Sequence, residues 1–209
     1  VEHMGHISFG DAAKVMGEYG FGYSPELIEK YNLVNQGISA EMIADKWGLT
    51  RDDLDAFGVR SQEFARRATD EGRFQREILP LLGSDGALMS TDEGLRDTTL
   101  ESLAKLKPAF RAEEEGGRVT AGNSSQITDG ASAMLIMSEA KAKQLGLTPR
   151  ARFVNFSLAG DNPRMMLTAP IPATQKVLAR AGLTMDDMDL TEINEAFACV
   201  VLAWAKELH

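Results

Sequence analysis

Cysteine is nearly absent. Cys199 is the one cysteine in 209 residues, so no intrachain disulfide framework exists, and a reducing, cytoplasmic compartment is the expected setting. Histidine is almost as sparse. His3, His6 and His209 lie at the two ends of the chain, and no Ser/His/Asp order that would build a nucleophilic triad stands between them. His3 and His6 are three apart with Glu2 nearby, but Gly5 separates them and no third ligand is evident, so no metal is expected. No apolar run is long enough to span a bilayer. The first residues lack the basic-then-apolar order of a signal peptide. Basic residues are outnumbered, 22 Lys and Arg against 31 Asp and Glu, for a net charge of -9. That field opposes nonspecific nucleic-acid binding, which needs cations against phosphate. It leaves room for a small anionic ligand, because one Arg or a helix N-terminus offsets it locally.

What is present is ordinary for a soluble globular protein: 44% hydrophobic and 25% charged residues, so disorder is not the default. The length suits one large domain or two small ones. No internal repeat or low-complexity tract occurs. The chain opens at Val1 without Met and stops at or inside its last helix, and an internal fragment is expected.

The stretch from Gly5 to Gly22 is glycine-rich, with His6, Phe9, Tyr19, Phe21 and Tyr23 in no clear period, and reads as an irregular surface segment with short helical pieces. A short helix follows from Pro25 to Tyr31. Ser39 is a suitable N-cap for a helix over Ala40 to Trp47, with Gly48 just past its end. Thr50 caps a long helix to about Glu71, and Asp53 three residues on makes an acidic capping box. Leu54, Phe57, Phe64, Ala65 and Ala68 are its apolar stripe, and Gly72 stops it. Phe74 to Leu82 reads as extended, with a turn at Gly83-Ser84-Asp85-Gly86. Thr99 caps a helix from Leu100 to Lys105, ended before Pro108. Arg111 to Arg118 is a charged loop.

From Val119 the texture changes. A segment of small and hydroxyl residues to Gly130 leads into Ala131–Met137, a continuous apolar run that fits a buried strand. Ser138 caps a helix to Leu145. Ala151 to Leu158 alternates like a strand, and a helix runs from Ala173 to Ala181 after Pro170 and Pro172. Met188 to Ile193 reads as a third strand, and Glu195 to Leu208 as an apolar helix. Strands alternating with helices over the last ninety or so residues imply an α/β layered core, with the first 118 residues as a helical subdomain laid over it.

Asn194 sits at the expected strand-to-helix junction. An amide held there can donate to developing negative charge, directly or through a water. It can equally be the helix N-cap. Gly122 and Gly130 let the loop between them approach a ligand closely, and Ser124, Ser125 and Thr128 add hydroxyls, but this is no P-loop and a structural turn explains it as well. Arg96, close before a helix, can clamp phosphate or simply be solvated. Cys199 lies in an apolar helix with no basic neighbour in sequence and is expected to be inert. The ten methionines read as core filling.

Several ordered motifs resemble the thiolases, in particular the degradative 3-ketoacyl-CoA thiolases of fatty-acid β-oxidation. They are the opening Val1-Glu2-His3-Met4-Gly5-His6; Gln36 to Glu41; Arg51 to Phe57; Glu71-Gly72-Arg73-Phe74; Thr99 to Lys105; Lys107-Pro108-Ala109-Phe110; Thr120-Ala121-Gly122-Asn123-Ser124-Ser125 with Asp129-Gly130-Ala131; and Asn194-Glu195-Ala196-Phe197. Together they cover essentially the whole chain. The resemblance implies an α/β thiolase-like layered fold, incomplete here. Residues 1–127 would be mostly the helical loop domain, 128–149 a return to the first core half, and 150–209 the start of the second.

The resemblance also implies thiolytic cleavage of 3-ketoacyl-CoA by CoA, through a thiolate cysteine, an activating histidine and a second cysteine. It makes Asn194 the holder of an oxyanion-hole water and Ser125 a contact of the pantetheine arm. Ala121, Phe110 and Phe197 would line the CoA site, with Ala109, Ile127 and the phosphate-facing Arg96 less firmly aligned. CoA is then a substrate, and no covalently bound cofactor is implied. Homo-oligomers are implied too, as is membership of a multienzyme fatty-acid oxidation complex. The nucleophilic cysteine is expected before Val1, and the Gly-His-Pro histidine and second cysteine after His209, so the isolated chain is expected to be inactive. Two alternatives stand beside this reading: a biosynthetic acetoacetyl-CoA thiolase, and a noncatalytic CoA-binding or assembly module.

Overall fold

The computed structural model describes residues 1–6, 11–20 and 22–208. Phe9, Phe21 and His209 lie outside the described residues. The helices are α1 (Ala12–Tyr19), α2 (Pro25–Tyr31), α3 (Gln36–Lys46), α4 (Arg51–Asp70), α5 (Leu100–Ala104), α6 (Glu139–Gln144), α7 (Pro170–Ala181) and α8 (Ala198–Leu208). A two-stranded antiparallel hairpin, β1 (Leu81–Leu82) and β2 (Leu88–Met89), turns at residues 83–87 and pairs Leu81 with Met89.

Where local chemistry decides, the elements form as their residues dictate. Thr50 Oγ1 accepts from the Asp53 amide while the Asp53 carboxylate accepts from the Thr50 amide, a reciprocal cap that starts α4. Glycine at position 72, with φ +69°, follows its end. Thr99 and Ser102 start α5 in the same way, and Ser138 caps α6. Two starts differ from expectation. Asn35 caps α3 by accepting from the Gly37 amide, so Ser39 lies inside the helix. There its hydroxyl is fully buried and donates to Arg164 O at 2.6 Å, fastening α3 to the 161–168 loop. Helix α7 begins at Pro170 rather than Ala173, because a first helical turn has no use for a proline's missing N–H.

Helices α3 and α4 pack against α8 to make the core. Ala40, Ile43, Ala44, Leu49, Leu54, Phe57, Val119, Phe197, Ala198, Cys199, Val200 and Ala203 form one buried cluster. The far end of the α4 stripe is not part of it: Phe64 is 51% exposed, flanked by the guanidinium groups of Arg60 and Arg67. Trp204 of α8 donates to Thr174 Oγ1 at 3.0 Å and joins α7 to the cluster.

The three expected strands do not form. Residues 131–137, 151–158 and 188–193 run without ladder pairing, and Met134 (81%), Leu135 (76%) and Leu190 (93%) are exposed. A strand satisfies its backbone only through a neighbour, and none among the described residues pairs with these. The 151–158 segment instead lies along α7, whose Lys176 and Arg180 donate to Leu158 O and Phe156 O. The extended chain near Gly130 is held to the first residues, by an isolated bridge to Glu2 and by the Gly5 amide donating to Asp129 Oδ1 at 2.7 Å.

Candidate functional site

The loop at residues 118–125 is shaped from below by buried polar groups. Glu41 of α3 is fully buried, and its carboxylate accepts from the Arg118 and Val119 amides at 2.8–3.1 Å. Asp55 of α4 accepts from Arg51 Nε at 2.7 Å and from Asn123 Nδ2 at 2.8 Å. Asn123 in turn accepts from the Thr120 amide at 2.9 Å and donates to Arg118 O at 3.0 Å. Thr120 closes a tight turn by accepting from the Gly122 amide. Buried polar groups held by several partners fix a backbone more firmly than apolar contact does. Two glycines permit the approach: a Cβ on Gly58 would strike Gly122 O, and one on Gly122 would strike Leu103.

The stretch before α8 docks on this loop. Ser125 N donates to Ala196 O at 2.9 Å, and Ser124 bridges Phe197. This pairing holds the chain extended to Phe197, so α8 starts at Ala198 rather than Glu195. Asn194 therefore lies four residues before the helix and is not its N-cap. Its side chain is exposed and has no protein partner among the described residues.

Loop, stretch and α4 enclose a cleft of about 260 Å³. Phe57, Gly58, Ser61 and Gln62 of α4 form one wall. Asp92, Gly94 and Leu95 form a second, and Gly122 to Gln126 with Thr128 a third; Glu195 and Ala198 close the end. Two amides tie the second wall in place: Gln62 accepts from the Arg96 amide at 2.9 Å, and Gln126 donates to Gly94 O at 2.6 Å. Ser61 Oγ donates to Glu195 Oε2 at 2.8 Å across the cleft's end.

The expected site residues divide in two. Ser125, Phe197 and Phe110 come together: Phe110 meets Phe197 edge-to-face at 6.0 Å, and its ring occupies the place a Cβ of Gly37 would take. Ala109 donates to Val119 O beside them, and Ala121 is exposed on the same loop. Arg96 and Ile127 stand apart from these, and of all the expected residues only Ser125 lines the cleft itself. Ile127 is 66% exposed, and Arg96 spends its guanidinium on the carbonyls of Glu93 and Leu95 in its own loop. Cys199 is fully buried, and its thiol is pushed up to about 12, by burial first and by the Glu41 charge second, so it carries no thiolate. The described residues hold no cluster of three or more metal-ligating side chains. No helix among them is long and apolar enough to cross a membrane.

The comparisons with known proteins agree from end to end. A sequence model of the thiolase N-terminal domain matches residues 1–140, and one of the C-terminal domain matches residues 147–209. The chain belongs to the thiolase family. Over its full length it is 47% identical to a 3-ketoacyl-CoA thiolase of Saccharophagus degradans and 47% to one of Shewanella frigidimarina. It spans 53% of each of these curated relatives, about half their length. Among solved structures, 84% of this thiolase chain superposes on 45% of the Bacillus anthracis acetyl-CoA acetyltransferase, at TM-score 0.79 and 42% identity. A similar share, 85%, superposes on 46% of human mitochondrial 3-ketoacyl-CoA thiolase, at TM-score 0.78 and 39% identity. The architecture is thus a mixed helix-and-strand thiolase fold over the part this chain covers.

Ser61, Gln62, Gln126 and Glu195 line the cleft, and nothing in the sequence pointed to them. Ser61 and Gln62 sit on the polar face of α4, where solvation is the ordinary reading. The nearest to a signal was that Glu195 directly follows Asn194.

Proposed function

We propose that this chain supplies the CoA-facing wall and the oxyanion-side amide of an acyltransferase that cleaves 3-ketoacyl-CoA with CoA, giving acetyl-CoA and a shortened acyl-CoA. The observation that carries this is the meeting of Ser125, Phe197 and Phe110 with the Asn194–Ala196 stretch beside one cleft. The names of the relatives support it. In this reading Asn194 holds the water that donates to the oxyanion, and the lack of a hydrogen-bond partner among the described residues leaves the amide available. The exposed Ser125 hydroxyl and the Phe110 ring receive the pantetheine arm, Phe197 backing that ring from the core, with Ala121 and Ala109 in van der Waals contact. Arg96 reaches a CoA phosphate by exchanging its loop carbonyls for it, and Ile127 covers the outer edge.

We place residues 1–127 mostly in the loop domain, 128–149 in a return to the first core half and 150–209 at the start of the second. The setting is cytoplasmic fatty-acid β-oxidation, in a homo-oligomer that joins a multienzyme complex. The chain's only cysteine is buried and protonated, so the nucleophile is not among these 209 residues. The test is a thiolysis assay with acetoacetyl-CoA and a long-chain 3-ketoacyl-CoA. A full-length thiolase carrying this sequence cleaves both CoA esters, and the pure 209-residue chain cleaves neither; turnover by the isolated chain refutes the assignment. A second reading, biosynthetic acetoacetyl-CoA condensation, is favoured by the 42% identity to an acetyl-CoA acetyltransferase. Activity confined to acetoacetyl-CoA would select it.

A further inference from the structure

We infer that Glu195, held by Ser61, is the positioning residue that aims Asn194; the inference rests on the reading of Asn194 as the water-holding amide. Asn194 lies in neither a paired strand nor a helix, and its side chain makes no hydrogen bond to a described residue. Its place is therefore set by where its neighbours are fastened. Three fastenings act on residues 196 and 197: the Ser125 amide on Ala196 O, the bridge from Ser124 to Phe197, and the ring contact of Phe197 with Phe110. These lie two and three residues downstream, about 7–10 Å along extended chain, too far to fix the intervening dihedrals. The remaining fastening is one peptide from Asn194: Ser61 Oγ to Glu195 Oε2, 2.8 Å.

Ser61 is well suited as an anchor. It lies midway along the 20-residue α4, whose first half is locked into the core by Leu54 and Phe57. A hydroxyl donating to a carboxylate is a charge-assisted bond, short and directional. The contact is solvent-exposed, so it contributes little to stability. Its effect falls on the aim of the neighbouring amide, where displacement of about an ångström costs up to a hundredfold in rate.

The test uses a full-length thiolase carrying this sequence, with kcat, KM for CoA and thermal midpoint measured for Asn194→Ala, Glu195→Ala, Glu195→Gln, Ser61→Ala and the Asn194→Ala/Glu195→Ala pair. Glu195→Ala and Ser61→Ala are each expected to lower kcat roughly tenfold while KM for CoA stays within about twofold. Glu195→Gln still accepts the Ser61 hydroxyl and recovers most of the loss. The double variant turns over no more slowly than Asn194→Ala alone, because Glu195 acts through Asn194. Ser61→Ala, a small change at a half-buried position of α4, keeps the test valid if Glu195→Ala does not fold. Loss of turnover in Asn194→Ala with full kcat in Ser61→Ala and Glu195→Gln below Glu195→Ala overturns the inference and leaves the reading of Asn194 standing. Independent, multiplying losses in the double variant overturn it as well. Wild-type turnover in Asn194→Ala overturns the reading and this inference with it.

Discussion

Residues 36–58 and residues 131–158 have opposite fates for their apolar side chains. The first region is heavily charged, yet Ile43, Leu49 and Leu54 are buried to within 2%. The second holds the run Ala-Met-Leu-Ile-Met, and its Met134, Leu135 and Ile136 are exposed. Apolarity alone does not decide burial. A helix closes its own hydrogen bonds and is free to offer one face to a neighbour, as α3 and α4 do to α8. A would-be strand needs another strand before its side chains have a surface to share. The 118–125 loop shows a third way in: Val119 is fully buried because Glu41 and Asp55 hold the backbone around it.

The largest expected effect that sharpens this contrast is at Leu54, where truncation to Ala should cost about 2–5 kcal/mol by urea denaturation of the 209-residue chain. A cost below about 1 kcal/mol would mean the α3–α4–α8 cluster is not the stabilising core. Glu41→Ala comes next, at about 2–3 kcal/mol, because the Arg118 and Val119 amides lose a buried acceptor. The same variant should raise hydrogen exchange at those amides while leaving residues 131–137 unchanged. Thr50→Ala should cost about 1 kcal/mol through the lost cap.

That cap also sets an acid response. The Thr50 amide, and then its hydroxyl, hold the Asp53 carboxyl below its ordinary 3.8, so the stabilisation is whole above that pH and fades as pH falls through the lower folded value. Asp187, bonded to the Thr184 amide and hydroxyl, and Asp161, bonded to the Thr168 hydroxyl and its own loop, act in the same direction. Unfolding midpoints should therefore be flat from neutral pH to about 5 and drop below about 4. In Thr50→Ala the drop should be shallower; an unchanged slope would remove Asp53 from the account. Smallest of all, Leu135→Ala should shift stability by about 0.5 kcal/mol or less. A loss like that at Leu54 would show that the exposed run is packed in solution and dissolve the contrast.

The same division explains what could be read from the residues in order. Thr50 with Asp53, Gly72, Thr99 and Ser138 were legible because a cap is a matter of three or four consecutive residues. Ser39 and Asn194 misled: each is a good cap by type, but one is taken inward by Arg164 O, and the other is kept out of α8 by the pairing of residues 196 and 197 with the 124–125 loop. Nothing in the sequence marks Glu41 and Asp55 as buried acceptors, since only the fold reveals that amides 77 and 68 residues away come to meet them. Ser125, Phe110 and Phe197 were named through family resemblance, and nothing in their spacing implied that they would meet.

Gly58 carries a lesson for anyone trying to make this protein hardier. Replacing a mid-helix glycine with alanine is an ordinary first step, gaining about 0.5–1 kcal/mol where space allows. In α4 that methyl group would land on Gly122 O and lever the 120–125 loop off its helix, taking the floor of the cleft with it. Among the described residues nothing lies within 4 Å of a carbon added at Gly17 of α1, which is the place to make the change.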